Sequence, residues 1–167
     1  MKNKENITLI GMPAVGKSTV GNLLAQKMNF NFLDSDDLIQ SKEHTTLSRI
    51  IYKKGLSRFL QIEESHILSI ICSNHVIATG GSVVYSQKAM EYLSKTSTII
   101  YLCVDLEKLL TRLSDITSRG VAIKSGKTIE DLYKERTPLY DKYCDIKIDC
   151  SSMTAEQVAE KIIMVLS

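Results

Sequence analysis

No apolar run in the chain approaches the roughly 20 residues that a membrane-spanning helix needs. The stretch between the charged start, Met1-Lys2-Asn3-Lys4-Glu5-Asn6, and Gly11 is too brief for a secretory leader and lacks a small-residue cleavage site. Cysteine is sparse and scattered. Cys72, Cys103, Cys144 and Cys150 form no Cys-x-x-Cys pair, and three of them fall inside apolar runs, so they read as small core hydrophobes in a reducing compartment. Strong charge of one sign is missing too: the formal net charge is +2, with basic and acidic residues interspersed, which leaves no basic face for nucleic acid. There is no Pro/Gly-rich linker, internal repeat or low-complexity tract. There is also no Asn-Lys-x-Asp segment of the kind that reads guanine, which argues against a GTPase switch. His44, His66 and His75 have no metal-ligand spacing. These absences lead us to expect a cytoplasmic monomer with neither nucleic acid nor membrane as a partner.

The chain itself has the makings of one domain. Its 167 residues can bury a real core but are too few for two domains, and 44% hydrophobic residues against 24% charged is an ordinary globular balance. Short β-rich runs alternate with longer helical periods, the pattern of parallel strands joined by crossover helices. The strand candidates are Ile7–Ile10, Phe30–Leu33, Val76–Thr79, Thr98–Val104 and Ile146–Ile148. Helical spacing places Val20, Leu23, Leu24 and Met28 on one face, and Phe59, Ile62, Ile67 and Ile70 on another within a helix expected over about 57–72. Thr154-Ala155-Glu156-Gln157 is a capping box for a last helix carrying Val158, Ile162 and Val165. The expected fold class is therefore α/β, a three-layer sandwich over a single domain, residues 1–167. Residues 114–127, with Ser118, Arg119, Gly120, Lys124 and Gly126, have weak periodicity and read as a lid.

The strongest signal is Gly11-Met12-Pro13-Ala14-Val15-Gly16-Lys17-Ser18, which fits G-x-x-x-x-G-K-[ST] with a strand before it and a helix after it. Such a P-loop turns backbone N–H groups onto phosphates, aided by the positive end of the helix that follows. Lys17 would reach the β- and γ-phosphates of ATP, and the Ser18 hydroxyl would ligate Mg²⁺. The nucleotide-binding set is Gly11, Ala14, Val15, Gly16, Lys17, Ser18 and Thr19.

The second strand runs into Asp34-Ser35-Asp36-Asp37. Ligands of doubly wound sheets sit beyond the carboxyl ends of strands, so Asp34 and Asp36 are expected at the P-loop crevice. One would hold the magnesium side, and the other would meet an acceptor hydroxyl or its proton. Asp37 reads instead as a cap of the following helix, and Asp105 as the N-cap of another. Gly80-Gly81, after the third strand, lets the backbone approach a ligand closely.

With these residues in place, the sequence resembles the shikimate kinase family over almost its whole length. The resemblance rests on the P-loop, Asp34-x-Asp36, Ala78-Thr79-Gly80-Gly81 and Glu135-Arg136-Thr137-Pro138-Leu139-Tyr140, in the family's order and approximate spacing. It implies a P-loop NTPase of the nucleoside-monophosphate-kinase type, with a five-stranded parallel sheet in the order 2-3-1-4-5. It also implies ATP- and Mg²⁺-dependent phosphorylation of a small hydroxy acid, with residues of about 36–72 forming a helical acceptor-binding segment. By the same resemblance Asp34 is the magnesium-side aspartate and Asp36 the acceptor-contacting one and base. Gly80 and Gly81 bind the acceptor, and Arg112 packs on adenine. Arg119 closes over the phosphates as a catalytic lid arginine beside Lys17 and Asp36, and Arg136 grips the substrate carboxylate.

The chain departs from the family pattern at three places. Leu60, in Phe59-Leu60-Gln61-Ile62-Glu63-Glu64, stands where the family has a second carboxylate-gripping arginine, and Arg58 lies about 200° round the helix from it. Ser82 replaces a third glycine, and Arg119-Gly120 replaces Arg-Pro. The expected reaction is shikimate to shikimate 3-phosphate. A kinase of another small hydroxy acid such as homoserine is the alternative, and a non-catalytic nucleotide-binding regulator a weaker one.

Overall fold

In the computed structural model, residues 4–114 and 127–167 are described. Five strands, β1 (Asn6–Ile10), β2 (Asn31–Asp34), β3 (His75–Ala78), β4 (Ser97–Cys103) and β5 (Ile146–Asp149), form one parallel sheet in the order β2-β3-β1-β4-β5. This is the order that the resemblance implied. All five residues of β1 are buried, and Ile99 to Leu102 of β4 are almost fully so, as expected of central strands covered on both faces.

The helices are α1 (Lys17–Met28), α2 (Ser35–Glu43), α3 (Leu47–Lys54), α4 (Leu56–Leu68), α5 (Gln87–Thr96), α6 (Leu106–Ser114), α7 (Ile129–Tyr143) and α8 (Ala155–Leu166), with a 3₁₀ turn at Val83–Tyr85. Val20 and Leu24 of α1, with Val158 and Ile162 of α8, enter the main core with Leu9, Ile10 and Ile100. The capping box forms as read: Thr154 Oγ1 accepts from Gln157 N–H at 3.3 Å, and Gln157 Oε1 accepts from Thr154 N–H at 2.9 Å. No described helix is long and apolar enough to cross a membrane.

Local chemistry breaks the expected acceptor-binding segment into three helices. His44 ends α2 in a left-handed conformation (φ 52°), and Gly55 (φ 79°) separates α3 from α4. These helices share a second small core of Ile39, Leu47, Ile50, Phe59 and Ile62, with Leu60 packed at its edge. Burying a side chain such as Phe59 contributes roughly 1.5–3 kcal/mol, so the segment holds its own shape beside the sheet. The expected 57–72 helix ends four residues early, at Leu68, where both the N–H and the hydroxyl of Ser69 turn back onto the His66 carbonyl.

Candidate active site

The P-loop joins β1 to α1 and owes its shape to two glycines. Gly11 has φ 148°, and a Cβ there would lie 2.5 Å from the Leu102 carbonyl oxygen. Gly16 has φ 105°. Ala14 also adopts a left-handed φ of 62°, at a cost of about 1–2 kcal/mol for a residue with a Cβ. The buried Lys17 donates from Nζ to the carbonyl oxygens of Gly11 and Met12, both at 2.8 Å. Burial pulls its pKa down to about 8, against the pull of Asp36 and Asp34, while Arg136 adds to the lowering.

Beside Lys17, the Ser18 hydroxyl donates to Asp34 Oδ2 at 2.6 Å. Asp34 Oδ1 accepts from the Asp36 N–H at 2.9 Å, which makes Asp34 the N-cap of α2. Asp34 thus caps α2 with one oxygen and holds the Ser18 hydroxyl with the other. The cap expected of Asp37 is corrected: Asp37 lies exposed inside the first turn, because the helix has already begun at Ser35. Asp105 directly precedes α6, and its carbonyl accepts from Leu109 N–H, as an N-cap residue's does.

Asp36, Glu63 and Arg136 gather around Gly80-Gly81. A Cβ on Gly80 would meet Glu63 Oε1 at 2.6 Å and Asp36 Oδ1 at 2.7 Å, and one on Gly81 would meet Arg136 Nη1 at 2.9 Å. The glycines make room for three charged side chains, and their backbone is pinned from both sides. Gly80 N–H donates to Ser35 Oγ at 3.1 Å, and Tyr140 Oη donates to the Gly81 carbonyl at 2.7 Å. Arg136 is only 1% exposed, so it is no surface arginine of α7.

Glu63 carries no assigned role in the sequence reading, yet it is among the most buried charged groups, at 2% exposure. Ser82 Oγ lies 3.0 Å and 2.8 Å from its two carboxyl oxygens. The third-glycine position thus supplies a hydroxyl to a buried acid. Burial raises the Glu63 pKa to about 7; Ser82 opposes this, Asp36 adds to it, and Arg136 opposes it. Leu60, Glu63, Ser82 and Tyr85 line a recess of about 240 Å³. Arg58 turns away, donating to Gln61 Oε1 at 2.8 Å, so it does not stand in for the missing arginine.

On the other side of the P-loop, a cleft of about 360 Å³ is bordered by Ala14, Val15, Gly16, Thr19, Arg112 and Val158. Arg112 Nη1 donates to the Val15 carbonyl at 3.2 Å, which holds the guanidinium at the cleft wall. Arg119 and most of the expected lid, residues 115–126, lie outside the described residues. No group of three or more His, Cys, Asp or Glu among the described residues could hold a metal by itself.

The glycine-shaped loop between β1 and α1, with buried Lys17 at its end and the charged side chains of Asp36, Glu63 and Arg136 at Gly80-Gly81, is the architecture of a P-loop small-molecule kinase. The family model described as shikimate kinase matches residues 13–167. The shikimate kinase of Thermodesulfovibrio yellowstonii is 40% identical over 162 residues, covering 95% of this chain and 93% of that one. A solved structure of shikimate kinase from Acinetobacter baumannii, in complex with shikimate, superimposes with TM-score 0.89 at 29% identity, over 99% of this chain and 94% of its own. That of Aquifex aeolicus gives TM-score 0.81 at 30% identity, over 96% and 95%. The chain belongs to the shikimate kinase family and is an ATP-using phosphotransferase.

Proposed function

We propose that this protein transfers the γ-phosphoryl group of ATP to the 3-hydroxyl of shikimate. The observation that carries the reading is the meeting of Asp36 and Arg136 at Gly80-Gly81, close enough to Lys17 for both to act on its charge. A cation for phosphate, a carboxylate for a hydroxyl and a cation for a carboxylate are the three groups that this reaction needs. The relatives that bear the name shikimate kinase support the same acceptor.

The adenine would occupy the cleft walled by Arg112, with the phosphates over the P-loop amides. Lys17 now bonds two neutral carbonyls; a polyphosphate is a stronger, charged acceptor and would draw the ammonium onto the β- and γ-phosphates. Ser18 Oγ and Asp34 Oδ2 form an adjacent pair of hard oxygen donors, which suits Mg²⁺, an ion held by few protein oxygens plus phosphates. When bound it would neutralise charge that develops on the phosphoryl oxygens. Asp36 would accept the hydrogen bond, then the proton, of the acceptor hydroxyl, and Arg136 would hold the acceptor carboxylate through its guanidinium fork. Arg119 is the proposed lid arginine over the transferring group.

The test is a coupled ADP-release assay with ATP and Mg²⁺ against shikimate, quinate and homoserine. Saturable turnover on shikimate at a low-millimolar KM or better is expected. Turnover confined to homoserine, or ADP release indifferent to any acceptor, would overturn the assignment.

A further inference from the structure

The guanidinium of Arg136 is held at the end of a long side chain, and a carboxylate clamp works only if that fork is fixed beforehand. We propose that Tyr85 is the positioning residue that fixes Arg136, and that it thereby sets the enzyme's selectivity for a carboxylate-bearing acceptor. The inference rests on the reading of Arg136 as the partner of the acceptor carboxylate.

Arg136 Nε donates to Tyr85 Oη at 3.1 Å, and the guanidinium carbon lies 5.1 Å from the centroid of the Tyr85 ring. A phenol has one proton to give and lone pairs to receive with. Tyr85 gives its proton to Glu135 Oε1 at 2.6 Å, so its oxygen is left to accept from Arg136. Lys127 pairs with the same Glu135 carboxylate. Lys127 and Tyr85 both hold Glu135 below the usual carboxylate range, and burial with the Glu135 bond pushes the Tyr85 phenol up. Every donor and acceptor in the series Lys127, Glu135, Tyr85, Arg136 therefore keeps its direction near neutral pH.

Tyr85 is itself well anchored. It closes the 3₁₀ turn whose Val83 and Val84 are buried in the main core, and only Ser82 separates that turn from Gly80-Gly81. Tyr85 holds Arg136 at Nε, and Tyr140 adds a side-chain hydrogen bond to the same guanidinium, so the fork is oriented before an acceptor arrives. Tyr85 also lines the recess shared by Leu60, Glu63 and Ser82. None of this is readable from the spacing of residues 85 and 136; the fold brings them together.

The experiment compares Tyr85→Phe, which keeps the ring face but loses both hydrogen bonds, with Tyr85→Leu, which loses both contacts. For Tyr85→Phe the shikimate KM is expected to rise about tenfold, the scale of one hydrogen bond to a charged group, with kcat and the ATP KM within twofold of wild type. Tyr85→Leu is expected to raise the shikimate KM further. In an Arg136→Lys background, Tyr85→Phe should add less than twofold, because the group it positions is gone. An unchanged shikimate KM in both Tyr85 variants, an equal fall of kcat and ATP affinity, or full additivity with Arg136→Lys would overturn the inference. A wild-type enzyme that turns over no shikimate fails earlier, and overturns the reading of Arg136 on which the inference stands.

Discussion

Replacing Glu63 by glutamine should change how the stability of this protein depends on pH. Glu63 is 2% exposed, and its carboxyl is raised from 4.5 to about 7, chiefly by burial. Below pH 4.5 the acid is protonated in both folded and unfolded chains, and its ionisation costs nothing. Between pH 4.5 and 7 the unfolded chain ionises while the folded one holds its proton, so stability falls as pH rises. Above pH 7 both are ionised and the full cost is present. A raised pKa of this size corresponds to about 3 kcal/mol, at 1.36 kcal/mol for each pH unit. Glutamine fills the same space, and its carbonyl oxygen can still accept from Ser82, but it cannot ionise. Urea unfolding of wild type and Glu63→Gln at pH 5, 6, 7 and 8 reads the effect directly. The stability difference between the two should move in favour of the variant by about 2.5 kcal/mol across that range, the rest of the cost having set in below pH 5, since other titrating groups cancel in the comparison. A difference that stays flat with pH would refute the placement of Glu63 as a buried acid without a full cationic partner.

Three further outcomes follow from the same geometry. Lys17→Met should lower kcat by at least about 10²-fold, the cost of one preorganised group at the transferring phosphoryl. Its thermal midpoint should not fall, because a buried ammonium is replaced by an apolar chain; kcat near wild type would sink the role given to Lys17. The Lys17 pKa of about 8 implies that binding ATP, which favours the ammonium, takes up a proton at pH 8–9 but not at pH 6.5. Calorimetry in buffers of different ionisation enthalpy measures that uptake, and a proton count of zero at pH 8.5 would contradict it. Leu60→Arg should lower the shikimate KM at least tenfold, since a second cation at a carboxylate clamp is worth about 2–5 kcal/mol where it pairs well. An unchanged or raised KM would mean that this recess does not face the acceptor's carboxylate.

Where chemistry is written in contiguous residues, the sequence was a good guide. The strand-loop-helix of Gly11 to Ser18 forms as read, as do the strands β1 and β4 and the capping box at Thr154. The sheet order came from resemblance, because no local pattern states which strand lies beside which. Element ends moved by a residue or a few: β2 continues to Asp34, since that residue both finishes the strand and caps α2. The long helical segment became three helices because His44 and Gly55 adopt positive φ, and only the glycine hinted at a break.

The acceptor chamber was half legible. Asp36, Gly80, Gly81 and Arg136 stood in quotable motifs. Glu63 and Ser82 lie 19 residues apart, and their pairing exists only once α4 packs on the turn after β3. Ser35 and Tyr140, which pin the two glycines, and Tyr85, which holds Arg136, are likewise joined by tertiary contact. Ser35 and Tyr85 carry no signal of their own in the chain, and Tyr140 stands in the quoted Glu135–Tyr140 motif without its contact to Gly81 being readable there. Leu60 was visible as a departure, but its place against the Ile39 and Phe59 core depends on the same packing.

The most direct test of the account is to identify the product. Proton–phosphorus correlation spectra of a reaction containing the protein, ATP, Mg²⁺ and shikimate should show phosphorus coupled to the proton on carbon 3, with ADP formed in equal amount. Inorganic phosphate alone, or phosphorus on a different hydroxyl, would contradict it.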